Sequence, residues 1–271
     1  RQNPFFLFLS FLEPHHQNSR DDYPAPDGYA ERYEDAYTPP DLAALGGGNA
    51  KESLAGYHGM VRRLDEVLGS LLDALEESGQ LDETVVLFTS DHGCHFKTRN
   101  DEYKRSLHDA SIRVPTVLHG PGLTGGVRLP HLVSHVDLPP TLLAAAGLPV
   151  PDGMQGRSLL PLPSLISGEN GRDWQREVLI QISESELGRA LRTDRWKYGV
   201  VAPDADPWHD AAADRYVERY LYDLDADPHE LTNLAEDPAY TAVREEMRVR
   251  LADRIAASGE PRPEIVPARP A

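Results

Sequence analysis

Cysteine is nearly absent: the 271 residues hold one, Cys94. That excludes an intrachain disulfide and a cysteine-built zinc cage, and it leaves the redox compartment open. Cations are scarce as well, 27 Lys and Arg against 44 Asp and Glu, for a formal net charge of −17. Such a balance argues against nucleic acid or an anionic membrane as a partner. Any anionic substrate must therefore meet a local cationic site. No apolar run approaches the ~18 residues that a membrane span needs. The nearest, residues 4–12 (P-F-F-L-F-L-S-F-L), follows Arg1 and superficially copies a signal peptide, but E-P-H-H continues it without a small-residue cleavage pattern. There is no initiator Met and no internal repeat. A core-type strand at the first residues leads to the expectation that earlier sequence precedes Arg1.

The run 4–12 reads as a strand covered on both faces, as in a parallel sheet flanked by helices, with His15 and His16 just past its end. Residues 17–50, rich in Asp, Tyr, Pro and Gly, read as a long surface loop. From Lys51 to Ser78, Leu54, Tyr57, Val61, Leu64, Leu68, Leu71 and Leu75 recur at helical steps, and Gly79 supplies a stop. A strand over 84–89 follows, so strand, helix and strand predict a crossover unit with parallel strands. A third strand is expected over 114–119, and Asp137 can cap a short helix reaching toward Gly147. The expected architecture is thus an α/β domain over 1–162 with 4–12, 84–89 and 114–119 parallel in one sheet. Beyond it, segments 178–183, 189–193, 196–201 and 220–224 are short, β-rich and separated by turns. They predict a smaller antiparallel sheet over 163–271, packed with a helix over 239–256 and followed by a poorly ordered Pro-rich tail.

The strand 84–89 delivers T-S-D-H-G-C at its carboxyl end, where open α/β sheets bind ligands. A Gly-containing turn lets the Asp91 carboxylate and the His92 imidazole converge as half of a divalent-cation site. Equally open on position alone, Asp91 caps the turn and His92 is a hydrogen-bonded surface residue.

The order strand-P-H, amphipathic helix, strand-T-S-D-H-G, a Lys about a dozen positions on, S-I-R-V-P and strand-H-G-P-G resembles the later half of the catalytic domain of sulfatases, in the alkaline phosphatase superfamily. The stretch L-Y-D-L-D-A-D-P-H-E-L-T-N-L at 221–234 resembles the closing motif of that family's small C-terminal subdomain. The resemblance implies an alkaline-phosphatase-like sheet flanked by helices, present in part, followed by the antiparallel subdomain. It makes Asp91 and His92 metal ligands, with His where many sulfatases have Asn. It matches Lys104 to a lysine on the sulfate oxygens and His15 to a histidine near the leaving group. A sulfuryl group in transfer spreads negative charge, which a metal, an ammonium and imidazole donors can stabilise. His16, His95 and His108 lie in the same loops with no motif to force a role, and Arg113 reads as a loop anchor.

Sulfatases attack with a formylglycine made from Cys or Ser in a C-x-P-x-R type segment. Cys94 is followed by His95, Phe96, Lys97 and Thr98, so the pattern fails and Cys94 reads as a bystander. The resemblance thus implies a piece of a sulfatase without its nucleophile, acting on a small sulfated substrate such as a sulfated sugar with calcium bound. A phosphodiester or phosphonate monoester hydrolase with manganese or zinc, and a non-catalytic binding module on a degenerate fold, are the competing readings. Oligomeric state and compartment are not legible.

Overall fold

The computed structural model describes residues 3–17, 19–123, 125–161 and 174–268. The chain falls into two compact units, one of Arg1–Asp82 with Phe96–Tyr103, the other of Glu83–His95 with Lys104–Ala271. The boundary expected at 162/163 touches residues outside the described ones.

The first unit is built on α2 (Ala50–Glu77), whose apolar stripe is the one the sequence spells out, preceded by the short α1 (Pro40–Leu45). Glycines on α2 let the preceding chain lie directly on it: a Cβ at Gly56 would stand 2.1 Å from Tyr23 O, and one at Gly59 2.7 Å from Ala25 Cβ. The expected long loop 17–50 is therefore partly ordered, with a 3-10 turn at Ala30–Tyr33, α1, and Tyr23 and Leu42 buried. Residues 4–12 depart from expectation. They lie outside every named strand, and Phe6 and Phe8 are 74% and 78% exposed. A doubly buried strand needs neighbours on both edges and layers on both faces, and no β-ladder among the described residues includes this run.

In the second unit β1 (Val86–Thr89) pairs with β2 (Thr116–His119), and the pairing is antiparallel, Val86 opposite His119 and Thr89 opposite Thr116. The expected parallel arrangement of 4–12, 84–89 and 114–119 is thus overturned. A parallel return needs a long crossover, usually a helix. Between β1 and β2 the only described helix is α3 (Asp109–Ile112), four residues long, so the chain doubles back. Gly120 ends the pair with φ 142°, where a Cβ would lie 2.7 Å from Thr84 O. The short helix expected after Asp137 is α4 (Leu138–Ala145). Asp137 closes back on Ser134 N–H at 2.8 Å and also accepts from Arg157 N at 2.8 Å.

The predicted antiparallel sheet is present as β3 (Glu177–Ile182), β4 (Gly188–Thr193), β5 (Trp196–Val201) and β6 (Arg215–Asp223), in that order. β7 (Glu264–Val266) adds parallel to β6. That corrects the expectation of a poorly ordered tail, because Ile265 is buried there and Glu264 N–H donates to Asp214 O at 2.8 Å. One face of the sheet carries Leu191, Tyr198 and Leu221 beneath Met247, Leu251 and Ile255 of α5 (Thr241–Ala257). No helix among the described residues is long and apolar enough to cross a membrane.

Candidate functional site

The chain leaves β1 through Ser90-Asp91-His92-Gly93, and each group of this turn is held. Ser90 Oγ donates to His92 O at 2.9 Å, and His135 Nε2 donates to Ser90 O at 2.9 Å. Gly93 N–H donates to Ser111 O at 2.7 Å, and a Cβ at Gly93 would stand 2.1 Å from Ala110 O. Only glycine lets the turn rest on α3 so closely.

His92 Nδ1 lies 2.8 Å from Gly93 O. A carbonyl only accepts, so the hydrogen bond assigns the proton to Nδ1 and leaves the lone pair on Nε2. That Nε2 faces Asp91 Oδ2 at 3.3 Å, while Asp91 Oδ1 accepts from His92 N–H at 2.9 Å. A lone pair and a carboxylate facing each other this closely call for positive charge between them, a second proton or a cation. The donor set thus fits a divalent cation, and the exposed Asp91 carboxylate is accessible to one. The plainer reading, Asp91 capping its turn, is realised by its other oxygen. Among the described residues no group of three or more His, Cys, Asp or Glu forms a metal cage.

Lys104 is half-buried, and its carbonyl accepts from Ser106 N–H at 3.0 Å. The serine is tied on, with Ser106 Oγ 2.8 Å from Ser111 Oγ. α3 therefore holds both the Asp91–His92 turn and the Lys104 segment through Ser111. Arg113, expected to anchor this loop, is exposed; its N–H donates to Asp109 O at 2.9 Å, and Asp109 makes the side-chain anchor instead. Cys94 is half-buried and not disulfide-bonded, and His95 is fully buried.

His15 belongs to the first unit. Its Nδ1 lies 2.5 Å from His16 O, and Tyr103 Oη donates to its Nε2 at 2.6 Å, with the rings edge to face at 5.2 Å. Nothing in the sequence singled out Tyr103. The buried His16 pairs with Asp21 at 2.8 Å. Asp21 also takes Lys97 Nζ at 2.6 Å, and the Lys97 and His16 bonds hold its carboxyl below the usual range. His108 is buried between Ser106 Oγ and Tyr222 Oη. Asp109 and Lys197 carry no sequence signal either, because charged side chains in a sequence read as solvated, whereas Glu230 sits within the 221–234 stretch without a role assigned to it.

The family model described as Sulfatase matches residues 1–148, and the one described as N-sulphoglucosamine sulphohydrolase, C-terminal, matches 101–257. Arylsulfatase K of Rattus norvegicus is 35% identical over 193 residues, which is 69% of this chain and 32% of that protein. The chain spans about a third of the length of this relative. Among solved structures, yidJ from Bacteroides fragilis, a candidate sulfatase, superposes with a TM-score of 0.71 at 26% identity, over 88% of this chain and 51% of its own. A protein solved in complex with its substrate D-glucosamine-2-N,6-O-disulfate gives 0.60 at 25% identity, over 84% of this chain and 45% of its own. A match across residues 1–148, more than half of the chain, decides the matter: this chain belongs to the sulfatase family.

Proposed function

We propose that the whole protein containing this chain hydrolyses a sulfate ester or sulfamate, with Asp91 and His92 as ligands of a divalent cation and Lys104 and His15 on the transferring group. The observation that carries the reading is the pair formed by Asp91 Oδ2 and His92 Nε2, 3.3 Å apart at the carboxyl end of β1. A bound cation would polarise a sulfuryl oxygen there as a Lewis acid. Lys104 would neutralise charge on the other oxygens, and His15, oriented through Nδ1 and Tyr103, would meet the leaving group. Residues 1–162 would be the later part of the catalytic α/β domain and 163–271 its small subdomain. The substrate class is a small sulfated molecule, and a sulfated sugar is supported by the bound disulfated glucosamine of the structural relative.

Calcium is the cation we assign, with water completing a shell of about six to eight oxygens. The imidazole favours the second reading, a phosphodiester or phosphonate monoester hydrolase, since a nitrogen ligand suits manganese or zinc better. The test is to strip the whole protein with a chelator, restore calcium, manganese or zinc singly, and compare kcat/KM on an aryl sulfate and an aryl phosphonate ester. Preference for the sulfate with calcium supports the assignment. Preference for the phosphonate with zinc or manganese replaces it with the second reading, and failure on both leaves the binding module.

A further inference from the structure

Residues 107–109 lie on the face of the five-stranded sheet opposite the one α5 covers. Leu107 packs with Ile180 and Ala190, and a Cβ on Gly199 would come within 3.1 Å of its Cδ1. His108 and Asp109 meet a single rung crossing three strands, in which Arg192 pairs with Lys197 and Lys197 with Tyr222. Arg192 and Lys197 both bond the Asp109 carboxylate, and Tyr222 Oη is 3.0 Å from His108 Nε2. Glu230 completes the set: one oxygen pairs with Lys197 and the other accepts Asp109 N–H at 2.6 Å. Lys197 and Glu230 are 1% and 2% exposed.

Two cations opposite each other on a ladder repel. Here two carboxylates balance them, so the group is neutral as a set. Burying such a set is a poor route to stability, because the ions lose hydration and apolar residues of similar volume often do as well. What charged hydrogen bonds supply is direction. They fix the first turn of α3, and α3 holds the Lys104 segment through Ser106 and Ser111 and the Asp91–His92 turn through Ser111 O.

We propose that Lys197, Glu230 and Tyr222 are positioning residues for the reaction, acting through Asp109 of α3 and His108 just before it and thereby on Lys104, an inference that rests on the role assigned to Lys104 above. The test is a cycle in the whole protein. Lys197→Met with Glu230→Gln removes one cation and one anion together. It should lower kcat by roughly 100-fold with KM little changed, as expected when a catalytic group is misplaced by about 1 Å. Lys197→Arg should recover most of the loss. In a Lys104→Ala background the same pair of changes should cost only a few-fold, since the group being positioned is gone. Equal losses in both backgrounds, or full kcat in the double variant, would overturn the proposal. Lys104→Ala with undiminished activity would instead overturn the reading of Lys104. Should the double variant not fold, Tyr222→Phe, which removes only the hydroxyl at His108, carries the same comparison. A loss of kcat that largely vanishes in the Lys104→Ala background then supports the proposal, and equal losses or none overturn it.

Discussion

The two faces of the five-stranded sheet use opposite chemistry at adjacent residues. Leu191, Tyr198 and Leu221 line up across three strands and face α5, while their chain neighbours Arg192, Lys197 and Tyr222 line up on the other side and grip His108 and Asp109. Alternation along a strand makes this inevitable once one face is fixed. The apolar face has no direction to impose, since burial rewards area and not orientation. The ionic face has direction and offers little net stability. One sheet can thus pack against α5 with one face and hold a loop in register with the other.

The sharpest way to break this comparison is at the residue that the ionic face is argued to serve. Lys104→Ala in the whole protein should lower kcat/KM on an aryl sulfate by roughly 100- to 1,000-fold, the usual cost of removing one group that stabilises transition-state charge. Its melting temperature should stay within a degree or so of the parent, because a half-buried lysine outside the core contributes little to folding. A large fall in stability with activity retained would make the loop a structural element only.

Next in size is the apolar face. Leu251 is fully buried against Leu191 and Tyr198, so Leu251→Ala should cost about 2–5 kcal/mol in urea unfolding. Val117→Ala on the exposed side of β2 should cost under about 0.5 kcal/mol. Comparable losses at the two positions would mean that β2 is covered in the whole protein by something this chain does not contain.

The sequence made one face legible and hid the other. Helix 51–78 and the four antiparallel strands announce themselves by period and length, and D-H-G at a strand end marks a site. W-K-Y-G-V-V, by contrast, reads as a strand with a polar outward side, although its lysine is more deeply buried than most of the core. Patterning cannot reveal a buried ion, because the partners that make its burial tolerable, Asp109 and Glu230, are 88 and 33 positions away along the chain. The same limit explains the error over 84–89 and 114–119, where the apolar runs announced strands and only their pairing decided direction, and over 4–12, where an apolar run lies outside every named strand. Tyr103 was hidden for a related reason, since its bond to His15 spans 88 positions.

A smaller effect separates the ions of the polar face. Burial pushes the Glu230 carboxyl upward, with Lys197 offsetting part of this and Asp109 adding to it. Burial also raises Asp109, but Lys197 and Arg192 outweigh it and hold that carboxyl below the usual range. For Glu230 the unfolded chain releases its proton first as pH rises. Stability therefore falls from the ordinary value of 4.5 up through the raised folded one. The advantage of the parent over Glu230→Gln in melting temperature should accordingly shrink as pH climbs through that window and then level off. For Asp109 the sign reverses: its contribution is present above 3.8 and is lost as pH falls through the depressed folded value. A parent-minus-Gln difference that grows with pH would mean that the Lys197 ion pair outweighs burial at Glu230.

The smallest expected effect is at Cys94, which follows directly on the turn that α3 supports. A nucleophilic cysteine has to be held in line with the sulfur it attacks and activated as a thiolate or by modification. Cys94 is half-buried, and H-F-K-T follows it in place of the x-P-x-R that the family's modification uses. Cys94→Ser keeps the size of the side chain and leaves Gly93 N–H on Ser111 O, so neither half of the Asp91–His92 pair should move. The whole protein carrying Cys94→Ser should keep its kcat/KM within about two-fold, a change too small to assign to a group acting in the transition state. The 271-residue chain alone should hydrolyse no aryl sulfate measurably. Turnover by that chain, abolished by Cys94→Ser, would make Cys94 the nucleophile and turn α3 from a support for Lys104 into the support of the attacking group itself.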